Sequence, residues 1–141
     1  MAAPLRLLLA DDNLPDRLLA EAAFEHVDAP TEVTYCENGQ QVLATLLDPD
    51  SVKPDVVVLD LNMPVMDGHE TLQRMRAHPA LTHDPVVILS SSRDEADIAR
   101  AYDELATLYL VKHQDFPTFV AQMEALTTFY GWCHFPAATG T

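Results

Sequence analysis

Four short apolar runs in this chain stop at residues that could do chemistry. Leu5 to Ala10 ends at the acid pair Asp11-Asp12, Val56 to Leu59 at Asp60, Val86 to Leu89 at Ser90-Ser91-Ser92, and Leu108 to Val111 at Lys112. Carboxylates crowded into one pocket repel one another, and the usual remedies are protonation or a bound cation. Three acids, waters and one backbone carbonyl suit a small octahedral ion, so Mg²⁺ is expected rather than Ca²⁺. The Ser90 hydroxyl and the Lys112 ammonium would complete an oxyanion site. Phosphoryl transfer asks little covalent chemistry of a protein beyond a nucleophile, alignment, and positive charge near the transferring oxygens. Asp60 is the carboxylate best placed as nucleophile, which leaves Asp11 and Asp12 for metal.

These residues act together only if the fold gathers them. Leu5 to Ala10 reads as a strand; Asn13 can cap the helix that follows, and Pro15 fits its first turn. Leu14, Leu18, Ala22 and Phe24 to Val27 keep helical spacing, and Thr31 to Cys36 is β-branched and aromatic, as in a strand. Glu37-Asn38-Gly39 reads as a turn before a helical stripe of Val42, Leu43, Leu46 and Leu47, and Asp48 to Pro54 as a polar loop. Val56 to Leu59 and Val86 to Leu89 are continuous apolar runs, suited to strands buried on both faces. Helices are expected near His69 to His78, from about Arg93 to Leu105, and from a cap at Asp115 to about Tyr130, with Leu108 to Val111 a fifth strand.

Five strands alternating with five helices call for an α/β, doubly wound, five-stranded parallel sheet with right-handed crossovers and helices on both faces. In the flavodoxin-like order 2-1-3-4-5, ligands sit beyond the carboxyl ends of strands one and three. That edge is where Asp11, Asp12 and Asp60 would lie.

Composition narrows the function. The 141 residues suffice for one domain, and 48% hydrophobic residues can bury a core. A formal charge of −14 has the wrong sign for neutralising nucleic-acid phosphates, so no nucleic-acid partner is expected. Cys36 and Cys133 have no metal-ligand or disulfide spacing, and neither a signal peptide nor a membrane span is evident, so a cytoplasmic location is expected.

The runs LLLADD, VVVLDLNMPVMDG, VVILSSS and YLVK, in this order and each at a strand end, make residues 5 to about 130 resemble the receiver domain of two-component response regulators. The resemblance implies that Asp60 is the phosphoacceptor and that Asp11 and Asp12 hold the metal with Asp60 and the backbone carbonyl of Asn62. It also implies that Ser90 and Lys112 contact the phosphoryl group. Tyr109 matches the aromatic switch position whose rotamer follows that hydroxyl. The phosphoryl donor would be a sensor histidine kinase, and the readout surface would be formed by helix four, strand five and helix five. Such a chain is not an enzyme in the turnover sense, although it assists its own phosphotransfer and dephosphorylation.

Two departures from the family pattern bear on mechanism. His113 follows Lys112 where the family usually has a proline in a cis bond. A cis bond before a residue other than proline costs about 2.5–4 kcal/mol, against about 0.5–1 before proline, so a trans or strained bond and a less firmly held lysine are expected. The other departure is the end: residues 1–130 read as the receiver and 131–141 as a tail with no output domain, so the signal would leave by docking. GWCHFP after a long last helix resembles the stand-alone receivers associated with bacteriophytochromes, in which that helix supports homodimers.

Among the remaining residues, Phe116, Phe119, Val120, Met123, Leu126 and Tyr130 follow helical spacing as core, whereas Phe129, Trp132 and Phe135 read as interface aromatics. Ser91 and Ser92 are expected to begin and cap the following helix, with Ser92 also placed to tune water access. Asp67-Gly68 reads as a turn, Met66 as a residue that could face a kinase, and His26, His69, His78 and His83 as solvated. Two competing readings remain: a Mg²⁺-dependent phosphatase working through an aspartyl intermediate, and an unphosphorylated receiver-like scaffold. The first usually carries its nucleophile in an Asp-x-Asp pair after the first strand, and the intact acids, Ser90 and Lys112 weigh against the second.

Overall fold

Strand and helix alternate without exception across residues 3–134, the part described by the computed structural model. The elements are β1 (Leu5–Ala10), α1 (Leu14–Glu25), β2 (Thr31–Cys36), α2 (Gly39–Leu47), β3 (Val56–Leu59), α3 (Gly68–Ala77), β4 (Val86–Ser90), α4 (Glu95–Asp103), β5 (Leu108–Val111) and α5 (Phe116–Gly131). The strands form one parallel sheet, as the alternation of elements predicts, in the flavodoxin-like order β2-β1-β3-β4-β5. Leu9 of β1 faces Tyr35 of β2 on one side and Val58 of β3 on the other, so the first and third strands are neighbours.

Side chains alternate across a strand, and this sorts the core into two layers. Leu5, Leu7 and Leu9 of β1, Val56 and Val58 of β3, and Val87 and Leu89 of β4 pack against α1 and α5 through Ala20, Ala23, Phe119, Met123 and Leu126. Leu8, Ala10, Val57, Leu59, Val86 and Ile88 take the opposite face, against Val42, Leu46, Leu72, Met75 and Ala101 of α2, α3 and α4. Every residue of β3 and β4 is buried, which is why those segments are apolar up to Ser90, the polar residue that closes β4. Each fully buried side chain of this size stabilises by about 1.5–3 kcal/mol, so the sheet edge that carries the polar residues rests on a stiff base.

Each helix starts on a side-chain cap. Asn13, Asn38, Asp67, Asp94 and Asp115 accept backbone N–H bonds from the first turns of α1 to α5 in order. Two boundaries differ from expectation. Gly39 already lies in α2, because the Asn38 carboxamide accepts from Gln41 N at 2.9 Å and the chain turns directly into helix. α4 is shorter than its apolar pattern: Asp94 caps it rather than Ser91 or Ser92, and Leu105, at φ 69°, stands beyond its end.

Other expectations are corrected by packing. His69 is buried, its Nδ1 bonded to the Glu104 carboxylate, which also takes the Gln73 amide. The pairing satisfies a ring that would otherwise lose water on entering the helix interface. Met66 is buried as well; the exposed apolar residue of that loop is Val65, at φ 66°. In α5, Phe119, Met123, Leu126 and Tyr130 are core, Phe116 and Val120 are partly buried against it, and Phe129 is exposed, as is Trp132 just beyond the helix. Phe135 and most of the expected tail lie outside the described residues. Among the described residues no helix is long and apolar enough to cross a membrane.

Candidate functional site

The backbone ladder continues one step past the strands and fixes the reactive residues from below. Asp11 N donates to Cys36 O at 3.0 Å, Asp60 N to Ala10 O at 3.0 Å, and Lys112 N to Ser90 O at 2.8 Å. Asp11, Asp60, Ser90 and Lys112 are thereby set on one rim by rigid elements, which hold a reacting geometry better than a free loop does. Each carboxylate of Asp11, Asp12 and Asp60 offers an oxygen, and the three oxygens lie within 4.8 Å of one another.

The loop after β3 is held as tightly. Gly68 N donates to Leu61 O at 3.0 Å, and a Cβ on Gly68 would stand 2.4 Å from Asp60 O and 2.9 Å from Leu61 Cα. No side chain fits there, so the absence of a Cβ at Gly68 is the means by which α3 approaches the end of β3. Asn62 N donates to Asp60 Oδ1 at 3.4 Å. On the β1 side, Asn13 N donates to Asp11 Oδ1 at 3.0 Å, and the Arg17 guanidinium donates to Asp11 O at 2.7 Å.

Lys112 is more firmly placed than the missing proline leads one to expect. No peptide bond among the described residues is cis, in agreement with the trans expectation at His113. The carboxamide of Gln122, on α5, spans the lysine: its Nε2 donates to Val111 O at 2.7 Å and its Oε1 accepts from His113 N at 3.1 Å. One side chain thus pins the backbone on both sides of Lys112. The ammonium itself is 3.1 Å from Asp11 Oδ2 and 3.4 Å from Asp16 Oδ2, and 5.9 Å from the centre of the Phe119 ring.

Electrostatics single out Asp60. Burial pushes its carboxyl up from the ordinary 3.8 to about 6; Asp11 and, more weakly, Asp12 add to the rise, while the Asn62 N–H and the Lys112 charge oppose it. Three hard oxygen donors whose mutual repulsion Lys112 relieves only in part are the donor set expected of a divalent cation site. The residues present therefore fit the metal that the sequence suggests. Beneath them lies a cavity of about 10 Å³ lined by Asp11, Asp16, Asp60, Lys112 and Phe119 among others.

Ser90 is buried at the end of β4, and its Oγ accepts from Ser92 N at 3.2 Å. Ser92 forms a local turn: its hydroxyl donates to Asp97 Oδ2 at 2.7 Å and accepts from Asp94 N at 3.2 Å. The Tyr109 phenol donates to Ser92 O at 2.9 Å, and Tyr109 N donates to the Tyr102 hydroxyl at 3.1 Å. Tyr109 is thereby tied to the segment that follows Ser90. Sequence reasoning missed Asp16, Arg17 and Gln122. An acid in a first helical turn normally signals no more than a match to the helix dipole, and a glutamine on α5 carries no signal at all.

The pattern of the response regulator receiver domain matches residues 7–124. The chain belongs to that family. Among curated relatives of this receiver, the probable methanogenesis regulatory protein FilR2 of Methanothrix harundinacea is 30% identical over 94% of this chain and 88% of that protein. Response regulator Rcp1 of Synechocystis sp. is 27% identical over 90% of this chain and 89% of its own. Among solved structures, the phosphorylated cyanobacterial phytochrome response regulator RcpA superposes with a TM-score of 0.87 at 29% identity, covering 96% of this chain and 100% of that one. The Mn²⁺-bound form of Rcp1 gives 0.85 at 27% identity, covering 95% and 100%. The receiver is thus similar to stand-alone, phytochrome-associated response regulators. Receiver domains bind divalent metal and partner with sensor histidine kinases.

Proposed function

We propose that this receiver takes a phosphoryl group onto Asp60 from a sensor histidine kinase in a Mg²⁺-dependent reaction and passes the signal on by protein docking. The observation that carries the reading is the meeting of three carboxylates with oxygens within 4.8 Å of one another on the rim that also bears Lys112. An Asp60 oxygen forms the new P–O bond as the P–N bond to the kinase histidine breaks, and the electron pair leaves with the imidazole nitrogen. Asp11, Asp12, Asp60 and the Asn62 carbonyl would hold the cation, which supplies positive charge to the transferring oxygens when bound. Lys112 provides a second positive charge. The Ser90 oxygen is already an acceptor for Ser92 N–H, so its own hydrogen is left to give to a phosphoryl oxygen.

Ser90 and Tyr109 would form the switch. When Ser90 turns to the phosphoryl group, its bond from Ser92 N is disturbed, and Tyr109, bonded to Ser92 O, senses the change. The face of α4, β5 and α5 is the readout. Likeness to RcpA and Rcp1 supports a phytochrome-class kinase as donor, and the exposed aromatics Phe129 and Trp132 at the end of α5 support a homodimer through that helix.

The test is incubation with acetyl phosphate and Mg²⁺ followed by intact mass. The wild type gains one base-labile phosphoryl group, and Asp60→Asn or chelation of the metal abolishes the gain. An unmodified wild type would overturn the reading, and repeated turnover of a small phosphomonoester would replace it with a phosphatase.

A further inference from the structure

Lys112 has two anionic partners with different obligations. Asp11 belongs to the carboxylate trio that fits a cation; Asp16 does not. Asp16 sits in the first turn of α1, fixed because its N–H is bonded to the Asn13 side chain at 3.0 Å, and its side chain is 43% exposed where Asp11's is 6%. The Lys112 ammonium lies between them, at 3.1 Å from Asp11 and 3.4 Å from Asp16, over the Phe119 ring.

A cation held by Asp11 and an ammonium held by Asp11 compete for one carboxylate, and two positive charges on it repel each other. With Asp16 beside it, the ammonium has a second anion to lean on when Asp11 turns to metal. We infer that Asp16 is a positioning residue: an anionic seat, outside the metal cluster, that takes Lys112 from Asp11 when a divalent cation binds and keeps the ammonium at the rim for the phosphoryl group. The inference rests on the function proposed above and adds to it a residue that lets metal and lysine occupy the site together.

Removing a negative charge near a cation weakens binding by its field alone, so a single substitution is not decisive. The experiment is a double-mutant cycle on Mn²⁺ affinity, with free Mn²⁺ read by electron paramagnetic resonance, no phosphoryl donor present, and the pH held above the Asp60 titration. Asp16→Asn is expected to weaken Mn²⁺ binding about tenfold when Lys112 is present and less than twofold in a Lys112→Met background, where nothing competes for Asp11 and the field of a part-exposed carboxylate is screened. Asp16→Glu restores most of the affinity. Equal weakening in both backgrounds, or no weakening in either, would overturn the inference while leaving the proposed function standing. Failure of the wild type to bind Mn²⁺ at all would remove both.

Discussion

A methyl group on Gly68 would stand 2.4 Å from the backbone carbonyl oxygen of Asp60, closer than any real carbon–oxygen contact. The neighbours at that point are backbone, at Asp60 and Leu61, and do not give way as a flexible side chain would. Gly68→Ala is therefore expected to destabilise by about 1–3 kcal/mol, by forcing α3 away from β3. A urea midpoint equal to that of the wild type would contradict this.

Stability of the metal-free protein should fall as pH rises. The Asp60 carboxyl is raised from 3.8 to about 6 in the folded chain, so the unfolded chain loses its proton first and the native state binds more protons between those values. The penalty is absent below pH 3.8 and fully developed above about pH 6. That rise corresponds to at most about 3 kcal/mol, which solvent screening at a part-exposed site reduces to about 1–2. In chelator, thermal unfolding of Asp60→Asn should lack this decline and exceed the wild type at pH 8. Saturating Mg²⁺ should narrow the gap, because binding to the native state alone adds about 2.7 kcal/mol at a hundredfold excess over Kd.

Gln122→Met should loosen Lys112 without touching it. The substitution removes the bonds to Val111 O and His113 N together, at about 1 kcal/mol each. Misplacement of a charge by a fraction of an ångström slows positioned chemistry, so phosphorylation by acetyl phosphate should slow by about tenfold. Metal affinity should change little, since Gln122 is not part of the carboxylate trio. An unchanged phosphorylation rate would show that the backbone around Lys112 holds itself.

Trp132→Ala should lower the mass seen in light scattering from dimer to monomer. The residue is 82% exposed in the single chain, so its loss should leave the denaturation midpoint within about 0.5 kcal/mol of the wild type. A monomeric wild type, or a variant of unchanged mass, would exclude this residue as an anchor.

Asp11, Asp60, Ser90 and Lys112 were legible because each stops an apolar run, and in a parallel sheet such runs stop at the rim where the strands' carboxyl ends lie. The parallel sheet followed from the alternation of elements, and its order from the flavodoxin-like fold that such alternation suggests. What stayed hidden depends on side chains meeting across the fold. His69 lies on a polar helix stretch and gives no hint that Glu104 waits beyond α4, and Gln122 looks like any solvated glutamine until β5 is laid against it. The apolar pattern overstates the length of α4, because Leu105 continues it while its backbone has already left the helix.

The reactive groups of this protein are borne by β1, β3, β4 and β5, elements that are never adjacent in the chain where they meet. A ribosome must therefore extrude the chain past Lys112 before the lysine can reach acids that β1 and β3 have already brought together. The phosphoryl transfer proposed above would thus report on completed folding, because the lysine joins the acids only once β5 is laid beside β4.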